Sequence, residues 1–277
     1  RRVLFRSFLG IPPILGLDPT ARVPSRAAGP FTALWYAVFM IPFFLWVHDP
    51  PRAKAAPGAV RRGLAQLGRN LKGLPKRPSL LSFLLASMSY RDALNAIYGI
   101  GGVYAAGVLG WGAVDAGIFG IIAIISGTIF TWLGGHADAR FGSRRVVVFC
   151  IVLLILTTLA IASVSRQSVL LMTVDEGSRL PDIAFYIIGA VIGAAGGALQ
   201  SASRTMMVHQ ADPQRMTESF GLYALTGKAT AFVATAAIGI TTAISGSQQI
   251  GVLPLIPLFL LGLVLLLWVK PDGDPAR

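Results

Sequence analysis

The chain has 277 residues, of which 54% are hydrophobic and 13% charged, with a formal net charge of +12 and a mean hydropathy of +0.68. A soluble domain carries about 25% charged residues, so this composition argues against a water-facing globular enzyme and for an all-α polytopic membrane protein. The basic residues are spread between apolar runs rather than gathered in one patch. Orientation and lipid contact therefore explain them, and no nucleic-acid partner is expected.

Taken in chain order, residues 1–30 come first. They carry Arg1, Arg2, Arg6, Arg22 and Arg26 around a short, proline-broken apolar stretch that lacks the pattern of a secretory signal. The chain is expected to be N-terminally truncated, with 1–30 a non-cytoplasmic segment or the remnant of a lost helix. Seven membrane-spanning segments are then predicted, at residues 31–48, 80–108, 115–134, 146–164, 183–203, 219–244 and 250–269. Residues 49–78 form a basic linker in which "AVRRGLAQLGRNLKGL" spaces Leu64, Leu67, Leu71 and Leu74 at helical intervals. This predicts an amphipathic helix lying on the anionic inner leaflet, with a regulatory target sequence as the other reading. Loops at 135–145 and 204–218 are basic, whereas 245–249 carries no Lys or Arg. The alternation places 49–78, 135–145, 204–218 and the tail 270–277 in the cytoplasm. The arginines of residues 1–30, which should then lie outside, run against it.

Small residues recur every four positions in the fifth segment, at Gly189, Gly193, Gly197, Ser201 and Thr205. Such a stripe lets a second helix approach closely, for static packing or for sliding. Cys150 is the only cysteine and reads as a small apolar filler.

Enzymatic motifs are lacking. His48, His136 and His209 have no second ligand at metal spacing, and no nucleophile elbow, phosphate loop or H-E-x-x-H motif occurs. No cofactor or metal is expected.

What remains are charges inside apolar segments, which are costly there and mark either helix-tying pairs or a solute or proton path. In "SMSYRDALNAIYGIGG", Arg91 and Asp92 lie about 17–18 Å along a helix from its basic end, and Lys228 lies at a depth of about 14 Å from the same side. Asp92 and Lys228 are predicted to meet or to line one cavity. Asp92, Asn95 and Gly99 share a face, while Arg91 points to another partner. Both readings of this group, structural tie and transport path, stay open. Gly99, Gly101 and Gly102 are predicted to kink or break the second segment, as in discontinuous transporter helices.

The loop "GGHADARFGSRR" resembles the signature between the second and third helices of each half of major facilitator transporters. Its first glycine falls on Gly135, and Arg140, Gly142, Arg144 and Arg145 align. The aspartate position holds Ala139, with Asp138 one place early. The stretches "YRDALNAIYGIGGVYAAGVLGW", "GALQSASRTMM" and "FGLYALTGKATAF" are similar to the unknown major facilitator branch, related to fungal autophagy-associated vacuolar amino-acid effluxers. The resemblance implies seven transmembrane helices: residues 31–48 as the last helix of an N-terminal half, and 79–269 as the complete six-helix C-terminal half of a twelve-helix fold. It further implies alternating access in a multi-pass protein of the bacterial inner membrane. The expected partners are a small-molecule solute, the lipid bilayer and the missing N-terminal helices. Expected path residues are Asp92, Asn95, Lys228 and Arg91, with Gln200 and Arg204 toward the cytoplasmic end. Gly135, Asp138, Arg140, Gly142, Arg144 and Arg145 would form the inner gate loop. The alternatives are a seven-helix receptor and a structural scaffold; a retinal protein would carry its lysine on the last segment, where no ionisable residue precedes Lys270.

Overall fold

The computed structural model describes residues 23–47, 59–170, 172–175 and 177–274. The readings for residues 1–22, for His48 and the start of the linker, and for 275–277 fall outside the described residues. The chain divides into two units, Arg1–Ala65 and Gln66–Arg277.

In the first unit, α1 (Val23–Trp46) is apolar enough from Gly29 to Trp46 to cross a membrane. Phe31, Trp35 and Phe39 stack at helical spacing along it. Its large side chains are exposed, as a helix that meets hydrocarbon requires. Helix α2 (Ala59–Gly73) starts in this unit and ends in the next.

The second unit is a helical bundle. Of the predicted leucine stripe of α2, Leu67 packs against the core, Leu74 is buried and Leu71 is exposed. A one-turn 3-10 segment leads into α3 (Pro78–Val108), followed by α4 (Ala113–Phe141), α5 (Ser143–Ala162), α6 (Leu180–Gln210), α7 (Met216–Ala229), α8 (Val233–Ser245), α9 (Gln248–Gly251) and α10 (Leu255–Leu266). Strands β1 (Ser168–Val169) and β2 (Met172–Thr173) pair antiparallel in the α5–α6 connection.

Hydrogen bonds show how these helices alternate in direction. At one end Ser79 Oγ bonds Gln210 Oε1 at 2.7 Å and accepts the Lys270 N–H at 2.9 Å, while Gln210 Nε2 donates to the Lys270 carbonyl at 2.6 Å. This joins the start of α3 to the end of α6 and the tail. At the other end Tyr104 donates to the Ile161 and Val164 carbonyls, and Trp111 Nε1 donates to Asp182 Oδ1 at 2.6 Å. Arg166 pairs with Asp182 at 2.9 Å and donates to the Leu109 carbonyl. Trp111, Phe119, Phe185 and Tyr186 stack beside these contacts.

Helix α6 packs most extensively on α4, and glycine makes that possible. A Cβ at Gly193 would overlap the backbone carbonyl of Ala123, and one at Gly197 would lie 2.5 Å from the Gly127 oxygen. The nearest atoms to a Cβ at Gly189 would be those of the Phe119 ring. Ser126 completes the seam by donating to the Ala190 carbonyl at 2.7 Å.

Six candidate spans occur among the described residues: Gly29–Trp46, α4, α5, α6, Pro213–Ser245 and Gln248–Leu266. The protein is therefore an all-helical polytopic membrane protein. Helix α3, 31 residues long, falls short on hydropathy because Arg91, Asp92 and Asn95 interrupt its apolar run. Two expectations need correction. The predicted break at Gly99–Gly102 does not occur, since α3 is helical throughout. There Gly101 makes room for the Phe119 ring, while Gly99 and Gly102 face open space. The break falls instead in the sixth predicted segment, between α7 and α8.

Candidate functional site

The α7–α8 break begins in the sequence "ALTGKATAFVATA", residues 224–236. Gly227 and the β-branched Thr230 are weak helix formers, and α7 stops at Ala229. The Val233 N–H takes the Thr230 carbonyl at 2.9 Å, which is the acceptor the Ala234 N–H would use in a continuous helix. Ala234 donates instead to Asp92 Oδ2 on α3, at 2.9 Å. An intramembrane carboxylate thus serves as the cap of a half-helix, at the end where the helix dipole favours negative charge. Asp92 is only 2% exposed. Its Oδ1 and the Thr230 hydroxyl are both buried with no hydrogen-bond partner among the described residues.

The predicted contact between Asp92 and Lys228 is corrected by this arrangement. Among the described residues the one ion pair is Arg166–Asp182, and Lys228 is exposed on the last turn of α7. The helix break brings a backbone N–H, not a cation, to the carboxylate. The flexible lysine stem leaves its ammonium accessible.

Arg91 has the separate partner that its direction implied. Its guanidinium lies 4.2 Å from the centre of the Tyr223 ring and donates to the Tyr223 carbonyl at 3.1 Å. Gly227 leaves the space it occupies; a Cβ there would lie 2.6 Å from Arg91 Nη1. Tyr223 also stacks on Phe83. A chain of buried hydroxyls joins three helices beside it: Tyr90 to Ser203 at 2.5 Å and Ser203 to Tyr223 at 2.8 Å. Sequence reasoning missed Tyr90, Ser203 and Tyr223. Their one signal was two tyrosines within apolar segments, each needing a hydrogen-bond partner once buried.

Gln200 lines a cavity of about 610 Å³ between α3, α4 and α6. Tyr98, Thr128 and Thr131 bring further hydroxyls to it, and Gly99, Gly102, Gly193 and Gly197 leave its wall bare. Asn95 and Arg204 are exposed and stand outside this lining, as does the buried Asp92.

The predicted gate loop is mostly helix. Helix α4 runs through Phe141 and α5 starts at Ser143, so Gly142 alone makes the turn, with φ +86° and ψ 144°, a region only glycine adopts without strain. The Gly142 N–H donates to the Asp138 carbonyl at 2.8 Å. Arg144 donates to the Leu267 carbonyl at 3.3 Å, Arg140 lies over the Phe141 ring, and the Asp138 carboxylate forms no ion pair among the described residues. Gly135, Asp138, Gly142, Arg144 and Arg145 line a cavity of about 1250 Å³, shared with His209 and Asp272.

The sequence matches the family model described as "Vacuole effluxer Atg22 like" over residues 9–273. The chain belongs to the Atg22-like family. That places it in a family of major facilitator transporters, not of enzymes. Relatives of this Atg22-like chain include an uncharacterized MFS-type transporter, YxiO, of Bacillus subtilis, 25% identical over 241 residues that make up 87% of this chain and 53% of the relative. Autophagy-related protein 22 of Coccidioides immitis is 26% identical over 227 residues, 76% of this chain and 36% of the relative. Autophagy-related protein 22-2 of Emericella nidulans is 26% identical over 269 residues, 87% and 44% respectively. The Atg22-like chain thus spans about half, or less, of the length of these curated relatives.

Proposed function

We propose that the chain supplies one half of a secondary transporter that moves a small polar solute by alternating access. The observation that carries this reading is the half-helix α8, whose broken end is held by the buried Asp92 carboxylate. Discontinuous helices with ionisable side chains at mid-membrane are where secondary transporters bind solutes and coupling ions. In this reading α3 is the seventh span, kept in the bilayer because Asp92 Oδ2 is held from α8 and Arg91 from α7. Helices α3 to α10 form the C-terminal half of a twelve-helix carrier, α1 closes the N-terminal half, and α2 is the linker on the anionic inner leaflet. Gln200 and the hydroxyls of Tyr98, Thr128 and Thr131 face the solute, with Asn95, Lys228 and Arg204 on the surface turned toward the missing half. Gly135 to Arg145 form the inner gate. The tail is cytoplasmic, and the protein lies in a bacterial inner membrane. Amino acids are the solute class, as the likeness to fungal vacuolar effluxers suggests. The family speaks against the receptor alternative.

Counterflow in proteoliposomes tests the substrate class. Vesicles bearing the whole carrier, both halves, and loaded with one unlabelled amino acid should accumulate its radiolabelled form above protein-free vesicles, while sugars should give no such uptake. Equal uptake with and without protein for every amino acid would overturn that assignment.

A further inference from the structure

A cavity of about 370 Å³ lies where the second half of α2, the start of α3 and the start of α7 meet. Its floor is apolar, since Leu74, Leu80 and Leu222 are buried. Arg69, Arg77 and Arg215 stand on its walls with two acids, Asp212 and Glu218. One oxygen of each acid is already engaged. Glu218 Oε2 accepts from Asn70 Nδ2 at 2.7 Å and from Gln66 Nε2 at 3.4 Å. Asp212 Oδ1 accepts the Gln214 N–H at 3.0 Å, capping the turn before α7. Arg69 donates to the Gln66 side chain, and neither Arg77 nor Arg215 forms an ion pair among the described residues.

The cavity therefore sets unspent guanidinium donors above a leucine floor. A guanidinium fork matches two phosphate oxygens at once, and basic pockets beside membrane helices take anionic headgroups. We propose that Arg77 and Arg215, with Arg69, hold a phosphate group here, brought by an anionic phospholipid or present as free phosphate. The site does not depend on the transport reading.

The test is thermal unfolding of the purified chain in detergent micelles. Three probes are titrated: phosphatidylglycerol, phosphatidylcholine, and inorganic phosphate against chloride at equal ionic strength. Phosphatidylglycerol or inorganic phosphate should raise the midpoint, and the one that does so identifies the source; phosphatidylcholine should not. Arg77→Gln with Arg215→Gln should raise the half-saturating concentration at least about tenfold, whereas Lys72→Gln, outside the cavity, should leave it unchanged. If the glutamine pair does not fold, Arg77→Lys with Arg215→Lys carries the test, because it keeps the charge and removes the fork. Wild-type half-saturation in the double variant that folds, or equal weakening by Lys72→Gln, would overturn the proposal.

Discussion

Replacing Asp92 by leucine is expected to destabilise the protein by about 1–3 kcal/mol, while asparagine costs within about 1 kcal/mol. Leucine fills much of the space but leaves the Ala234 N–H without an acceptor, buried where no water replaces it. An asparagine oxygen can still accept that bond, and its amide group takes the place of the unpartnered Oδ1. The two variants therefore separate capping from charge. Unfolding followed by circular dichroism in detergent would show the difference, and hydrogen exchange at Ala234 should rise in the leucine variant alone. Equal loss in both variants would mean that the charge, not the cap, stabilises the break.

Gly193→Ala is expected to cost about 3 kcal/mol or more, at the top of the range for overpacking. The added methyl meets the backbone carbonyl of Ala123, so relief requires α4 and α6 to separate along the seam that holds them. Alanine gains only about 1 kcal/mol in helix propensity, which does not offset this. Gly189→Ala on the same stripe meets a side-chain ring, Phe119, rather than backbone, and that ring borders the cavity between α3, α4 and α6, so its net effect should be the smaller, within about 1 kcal/mol. A comparison of the two unfolding midpoints checks the contrast. Similar midpoints would show that the seam tolerates a methyl and that the glycines are not its limit.

Six of the seven predicted segments were legible as spans because hydropathy reports what each residue leaves in lipid, whatever its partner, while α3 falls short on hydropathy through Arg91, Asp92 and Asn95. So was the small-residue stripe, since close helix approach demands small side chains at a four-residue spacing. The site was half legible. Asp92 and Arg91 stood out as charges in an apolar run, but their hydrogen-bond partners are backbone groups on α8 and α7, which every residue possesses and no letter marks. The choice of Lys228 followed from matching charge with charge, and a freed N–H proved the better-placed donor. The position of the break was masked for the same reason. "YGIGG" holds three glycines yet stays helical, because a neighbouring aromatic ring fills one of them. "GKATAF" holds one and breaks, because Asp92 on another helix satisfies the exposed amide. Local propensity allows either outcome, and tertiary contacts decide. The Tyr90–Ser203–Tyr223 chain was hidden because its members lie 113 and 20 residues apart in sequence.

In the proposed carrier the carboxylate at the end of α8 belongs to the solute path. Amino-acid counterflow by proteoliposomes bearing the whole carrier with Asp92→Asn, beside the wild type at equal content and equal unfolding midpoint, checks this. Exchange should be at least about tenfold slower, the change that about 1.4 kcal/mol produces, with the fold intact. Exchange at the wild-type rate would contradict it and leave Asp92 as a helix cap alone.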